Sequence, residues 1–417
     1  MSRPVVGASF VLAVLSFSSL AQANEALSME QALREAVTAS PLLKAASDRI
    51  ESSSGQVVQA GLRPNPRLVV QQENARAWEF SRAGDLQPGF VFTRDTDTYV
   101  YGAQLIERGG KRERRVEFAA AARDRSRADR DALEQQIRVR VASAYWIALS
   151  ASKIRDLYRS DTDTFAQIVA DQRNRVQEGA APGADLLRLQ VEQERLVAAL
   201  ETAGIEADRA RVTLLREMGR TTFPDVELTQ SLDTLPVVEF KDIREVFRQR
   251  RDIEALRQAI AQAESNARLQ RANAKVDPEL QFGYKRTFGF DTLYAAVNVP
   301  LPIRNRNQGN IASADADVRI AQANLDAAER QVRAEVETAT SEYRKRQRIL
   351  NETLRPLVDN AQHSLEIAQG AYREGGFDLL RYLDAQRSRI EAQTLYFRAL
   401  GELHLSAVAV AQAQGDF

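Results

Sequence analysis

Apolar positions follow two periods along this chain. Over most of its length they recur every three to four residues, the spacing of a helix face. In two stretches they alternate strictly with polar ones, the spacing of a strand. The helical pattern predicts a short helix over 28–39 and a second over 41–62, divided where Ser40-Pro41 can cap the second. Matching helices are expected over 240–251 and 253–274, with Asp252 as the cap between them. Two much longer helices are expected over 111–177 and 307–373, each about 100 Å at 1.5 Å per residue. Pro356 should kink the second. Returning helices follow over 184–218 and 378–411. In the first long helix the apolar stripe is narrow and rich in alanine (Ala120, Val139, Ala142, Ile147, Ile154, Leu157, Phe165, Ile168), and the other faces are charged. Such a stripe cannot build a wide core, but it suits coiled-coil packing with water on two sides.

The alternating stretches predict two hairpins, over 67–105 and 280–300. Leu280, Phe282, Tyr284 and Phe288 alternate with Gln281, Gly283, Lys285 and Thr287. Leu293, Ala295, Val297 and Val299 alternate with Tyr294, Ala296 and Asn298. In the first hairpin Tyr99, Tyr101, Ala103 and Leu105 form the expected apolar side, against Val100, Gly102 and Gln104. Short strands with one apolar face and one polar face fit a membrane barrel with a wet lumen, and equally a soluble hairpin packed on helices. Four strands cannot close a barrel, whereas three chains would bring twelve. The loop 74–97, with Trp78, Phe80, Phe90 and Phe92, is the expected outer cap of the first hairpin, and Gly289-Phe290-Asp291 that of the second.

The chain is also written twice. Arg63-Pro64-Asn65-Pro66-Arg67-Leu68 answers to Lys275-Val276-Asp277-Pro278-Glu279-Leu280, and the turn 107–112 answers to 303–308. Glu178-Gly179 answers to Glu374-Gly375, and Asp185-Leu186-Leu187-Arg188 returns as Asp378-Leu379-Leu380-Arg381. Four landmarks in register divide the chain into a first repeat, 24–235, and a second, 236–417. The fold class expected is mainly α with a membrane β-barrel: a long coiled-coil barrel plus four strands per chain. Two short helices beside each long one, done twice, make a slab with open seams, which should close into a ring with copies of itself.

Residues 1–23 read as a secretory signal peptide. Arg3 supplies positive charge, 11–20 are apolar, and Ala21-Gln22-Ala23 fits the cleavage pattern. No later stretch approaches the ~20 apolar residues of a spanning helix. The absence of cysteine rules out a lipid anchor at the cut, disulfides and thiolate metal sites. Lys+Arg and Asp+Glu are equal at 57 each, which argues against a nucleic-acid partner. With only 12 prolines and 20 glycines in 417 residues, few breakers interrupt the helices.

Little here supports chemistry on a substrate. Beyond the leader the only histidines are His363 and His404, expected on helix surfaces, and no imidazole or soft donors fall at i, i+3 or i, i+4. No cofactor or metal site is therefore expected. Glu107-Arg108-Gly109-Gly110-Lys111 lacks the Gly-Lys-Ser/Thr of a phosphate loop and reads as a strand-to-helix turn. Without a Ser-His-Asp or Cys-His set, an enzyme is not expected.

The repeat, hairpins and long helices resemble the TolC outer-membrane factor family over essentially the whole chain after the leader. The most specific marks are Val299-Pro300-Leu301-Pro302-Ile303-Arg304-Asn305-Arg306-Asn307-Gln308-Gly309-Asn310, the turn Arg373-Glu374-Gly375-Gly376, and Tyr382-Leu383-Asp384-Ala385-Gln386. The first run is most similar to the cobalt–zinc–cadmium and cobalt–nickel resistance branch. The resemblance implies a homotrimer in the outer membrane of a Gram-negative bacterium, with a helical tunnel across the periplasm. It also implies two partners, a periplasmic adaptor and an inner-membrane RND pump, and passive conduction of divalent cobalt, nickel, zinc or cadmium. Drug or peptide export is the alternative within this class, and a soluble periplasmic coiled-coil scaffold or adaptor the alternative outside it. The family's gate lies just past the second glycine turn, where Asp384 matches its acidic position and Arg381 stands where relatives often carry another acid. An Arg381–Asp384 pair at i, i+3, forming interchain salt bridges that hold the tip shut, is one expected arrangement. Asp378, with Asp185, Arg188 and Glu192 of the first repeat, completes the candidate gate set.

Overall fold

A computed structural model of the chain describes residues 25–74, 96–287, 289–374 and 378–417. The leader with its cut after Ala23, the aromatic residues Trp78, Phe80, Phe90 and Phe92, Phe288 and the Gly375-Gly376 turn all lie outside the described residues. The elements in chain order are β1 (Glu25–Leu27), α1 (Met29–Ala39), α2 (Pro41–Ala60), β2 (Arg67–Glu73), β3 (Asp97–Leu105), α3 (Lys111–Gln177), α4 (Gly183–Glu217), β4 (Val226–Leu228), α5 (Ile243–Gln249) and α6 (Arg251–Asn273). They continue with β5 (Glu279–Thr287), β6 (Phe290–Asn298), α7 (Gln308–Ile349), a π-helical segment (Leu350–Leu354), α8 (Arg355–Arg373) and α9 (Leu379–Gln414).

Local chemistry sets the helix starts. The Ser28 hydroxyl accepts from the Gln31 amide at 3.2 Å while Gln31 Oε1 accepts from the Ser28 amide at 2.9 Å, a reciprocal cap on α1. Ser40 caps α2, with Pro41 in the first turn, where its missing N–H costs nothing. The second repeat departs from the expected plan. Asp242 caps α5, and α6 begins at Arg251 with no side-chain cap. Asp252 is engaged elsewhere: its carboxylate holds the buried Arg250 guanidinium at 3.0 and 2.6 Å. Arg250 also bonds Glu335 at 2.7 Å, fastening α6 to α7.

The first rod, α3, is continuous over 67 residues. Of its expected stripe, Val139, Ala142, Ile154 and Phe165 are buried, but Ile147 stands half exposed. The second rod is not continuous. Residues Leu350–Leu354 form a π turn just before Pro356. Proline cannot donate to the carbonyl four residues back, and the wider turn absorbs that missing bond. In the upper half α2 packs on α3, α3 on α6, and α6 on α7. In the lower half α4 packs on α3, α3 on α9, and α9 on α8.

The main core belts the rods at mid-height, around Tyr145, Leu214, Leu215, Leu350, Leu400 and Leu403. Hydroxyls on the rods tie the connecting segments into this belt. Tyr145 Oη donates to the Leu27 carbonyl at 2.9 Å, and Tyr343 Oη to that of Pro236 at 2.6 Å. Here β1 pairs in parallel with β4, two strands too short to show a period in the sequence. Arg220 clasps both Glu25 and Glu35 beside them. His404 is buried in this region as well. It stacks on Trp146 at 3.7 Å between ring centres, and its Nε2 lies 2.9 Å from the Leu232 carbonyl. The expectation of a surface histidine holds for His363 and fails for His404, because α9 turns this face toward the 229–242 connection.

The larger sheet is antiparallel in the order β2-β3-β5-β6. Its register sets Val100 opposite Tyr284 and Val70, and Gly102 opposite Phe282 and Leu68. One face therefore carries Leu68, Val70, Val100, Leu280, Phe282, Tyr284, Leu293 and Val297, all between 36% and 79% exposed. Tyr99, Tyr101 and Ala103 lie on the other face with Gln281, Lys285 and Tyr294. The phase expected for β3 is thus inverted, since tyrosine suits either side and alternation alone could not choose. On this second face Tyr101 and Tyr99 pack on Tyr294, with centroids 4.9 and 5.6 Å away, and Tyr294 Oη bonds Gln281 at 2.9 Å.

The junction of sheet and rods interlocks the repeats. Asp277, from the second repeat, accepts from the Arg108 amide at 2.8 Å and from Lys111 Nζ at 2.6 Å, closing the turn that starts the first rod. Gly109 has φ +76°, and a Cβ there would stand 2.3 Å from Lys275 Cδ, so only glycine fits.

Candidate gate at the helical tip

The lower ends of α3, α4, α8 and α9 meet around Phe165, Val169, Leu189, Leu379, Tyr382 and Leu383. Tyr372 of α8 stacks on Tyr382 of α9 with centroids 5.5 Å apart. The first turn reverses through Gly179, at φ +72°, with Ala180 N on the Arg175 carbonyl at 2.8 Å. The two Asp-Leu-Leu-Arg copies do not do the same work. Asp378 is the N-cap of α9, accepting from the Arg381 amide at 3.1 Å. Asp185 lies inside the first turn of α4, which starts at Gly183 after Pro182, and has Arg188 3.9 Å away.

Asp185, Arg188 and Asp378 share a cleft of about 500 Å³ with Arg175 and Tyr372. Burial raises the Tyr372 phenol above its ordinary pKa, with Arg175 opposing and Asp185 adding. Glu192 and Asp384 belong to a different group. Arg387 donates through Nε and Nη2 to both oxygens of Glu192, a two-point contact between α9 and α4. Its Nη1 lies 3.9 Å from Asp384. Arg195 Nη1 reaches Glu192 at 2.9 Å. The Glu192 bonds hold the Arg387 guanidinium above its ordinary pKa against the cost of burial. Glu192 is buried, whereas Asp384, Arg381 and Arg387 line one exposed stripe of α9.

Within one chain, then, Asp384 lies near Arg387, and Arg387 in turn bonds Glu192 of the first repeat. A second pair escaped the sequence reading altogether. Arg389 bonds Asp161 of α3 with both side chains about nine-tenths buried, and Arg389 Nη1 reaches Gln393 at 2.7 Å. Burial lifts the Asp161 carboxyl above its ordinary pKa, more than Arg389 lowers it. Among the described residues no three His, Cys, Asp or Glu side chains converge as a metal site would require. No described helix is long and apolar enough to cross a membrane.

Rods tens of ångströms long, ending in a charged tip and crowned by a sheet with an exposed apolar face, place the fold among the TolC-like outer-membrane channels. The chain belongs to the outer membrane efflux protein family, whose model matches residues 32–220 and 243–416. It is 25% identical over 395 residues to the cobalt-zinc-cadmium resistance protein CzcC of Cupriavidus metallidurans, covering 93% of this chain and 90% of that protein. Its fold is similar to that of CusC, with a TM-score of 0.76 and 17% identity over 93% of this chain and 92% of that one. It is also similar to the open state of the MtrE outer membrane channel of Neisseria gonorrhoeae, with a TM-score of 0.74 and 21% identity, over 93% and 88% of the two chains.

Proposed function

We propose that this chain, freed of its leader after Ala23, forms a homotrimeric outer-membrane channel. Through it a periplasmic adaptor and an inner-membrane RND pump expel divalent heavy-metal cations. The observation that carries the reading is the sheet. Among the described residues β2 and β6 have no strand beyond them at the sheet's edges, while one face presents eight exposed apolar side chains, with polar residues toward its ends. In water such a sheet would aggregate through its edges. Three copies joined β6 to β2 leave no edge and turn the apolar face to lipid and the tyrosine face to a wet lumen. Exposed apolar residues on the outer flanks of α4 (Leu187, Val191, Ile205) and α8 (Leu357, Ile367) fit the same closure lower down.

The choice of cargo rests on the likeness to CzcC. With no converging metal ligands among the described residues, the tube conducts and the pump selects. At the tip, Asp384, Arg381 and Asp378, with Asp185, Arg188 and Glu192 of the first repeat, form the gate, and Arg387 is the arm that links the two repeats.

The decisive test is extraction. A detergent-requiring trimer from the outer membrane is expected, and a salt-extractable monomer would overturn the channel. For the cargo, a deletion strain should lose resistance to cobalt, nickel, zinc or cadmium while keeping resistance to dyes. The opposite pattern would make it a drug exporter.

A further inference from the structure

The sequence repeat aligns Arg67 with Glu279, and these two counterparts meet in the fold. Arg67 Nη2 donates to Glu279 Oε2, reaching across β3 from β2 to β5. The register puts both on the face of Tyr101, Tyr294 and Gln281, at the end of the sheet joined to the rods. Glu279 Oε1 accepts from Gln281 Nε2 at 2.8 Å. The Arg67 side chain remains 66% exposed, with donors to spare.

In a closed barrel β6 of one copy pairs with β2 of the next. The strand order then runs β5, β6, β2, and the next copy's Arg67 stands two strands from Glu279 with one strand between them. Within the chain the same separation runs β2, β3, β5, and there the pair is made. Because the two residues are repeat counterparts, one position alternates in sign around the ring.

Resting on the trimeric channel proposed above, we propose that Arg67 and Glu279 of three copies alternate as a ring of six charges around the lumen at the periplasmic end of the barrel, and that this ring sets the charge selectivity of the pore. Each carboxylate is flanked by two guanidiniums, its own chain's and the next chain's. Rings of charged side chains govern which ions pass a pore. Carboxylates without arginines between them would concentrate cations along the wall, whereas alternating guanidiniums cancel that attraction. Cations then pass without being retained.

The test is reversal potential in planar bilayers under a KCl gradient, using the full trimer. Glu279→Gln leaves three guanidiniums unopposed and should shift the potential toward that of chloride. Arg67→Gln should shift it toward that of potassium. The exchange Arg67→Glu with Glu279→Arg should return it toward the parent value. Parent channels whose selectivity neither single variant moves would overturn the ring and leave the channel standing. Failure of the parent protein to form channels would remove the reading beneath it. As a second readout, Arg67→Cys with Glu279→Cys and a bifunctional maleimide should give covalent dimers and trimers on a denaturing gel. Mixing Arg67→Cys chains with Glu279→Cys chains removes the intrachain link, and the absence of dimers from that mixture would also overturn the ring.

Discussion

Arg389 of α9 and Asp161 of α3 form an ion pair sealed between two helices from opposite halves of the chain. Such a pair adds little net stability, because desolvation offsets most of the attraction, yet removing one partner strands a buried charge. Arg389→Met alone is expected to cost about 3–5 kcal/mol. Asp161→Leu with Arg389→Met should stay within about 1–2 kcal/mol of the parent or exceed it. Thermal denaturation of the detergent-solubilised protein reads both, and equal losses in the two variants would refute the assignment.

His404 gives the belt a pH dependence. Burial holds its pKa below the ordinary 6.5, against the Leu232 carbonyl and Asp233. The neutral ring is therefore the folded form. Its contribution is complete above pH 6.5 and is lost as pH falls from there toward the lowered folded value. Each unit of that depression amounts to about 1.4 kcal/mol. The melting temperature should fall below pH 6.5 in the parent, and His404→Phe, which keeps the stack on Trp146, should flatten the curve. An unchanged pH profile in that variant would count against it.

Gly283 lets β5 pass beneath Tyr101. A Cβ there would stand 2.2 Å from the Val100 carbonyl oxygen and 2.5 Å from Tyr101 Cβ. Gly283→Ala is expected to cost about 1–3 kcal/mol or more, as overpacking does. The loss should show as less heat-resistant trimer on semi-native gels, with Gly309→Ala, whose Cβ would meet nothing, as the milder comparison.

At the tip, the Asp384–Arg387 contact is long and exposed, so its removal should cost under about 1 kcal/mol. Asp384→Ala should therefore leave the fold intact and raise single-channel conductance. Arg387→Ala releases Glu192 as well and should raise it further. If both variants conduct like the parent, neither residue belongs to the gate.

Periodicity carried the architecture well, because a 67-residue amphipathic rod and a repeated tetrapeptide are long signals. The errors fall where two distant segments decide a residue's fate. Tyr99 and Tyr101 tolerate lipid or lumen, and only the pairing of Val100 with Tyr284 assigns them a side. Asp161, Arg389 and His404 look like solvated residues in a linear reading. Their burial depends on α9 crossing α3, where Gly401 allows close approach to Ser150. Asp252 looked like a cap because Arg250, which claims it, also needed Glu335, 85 positions onward.

The clasp of Asp277 on the turn at Arg108 and Lys111 means that the first half of the chain does not complete itself. The second half supplies its anchor, and β3 lies along β5 for eight paired positions. A molecule cut once within the 229–242 connection after folding should accordingly remain whole. The covalent thread joining the halves guides their meeting and is not what keeps them together.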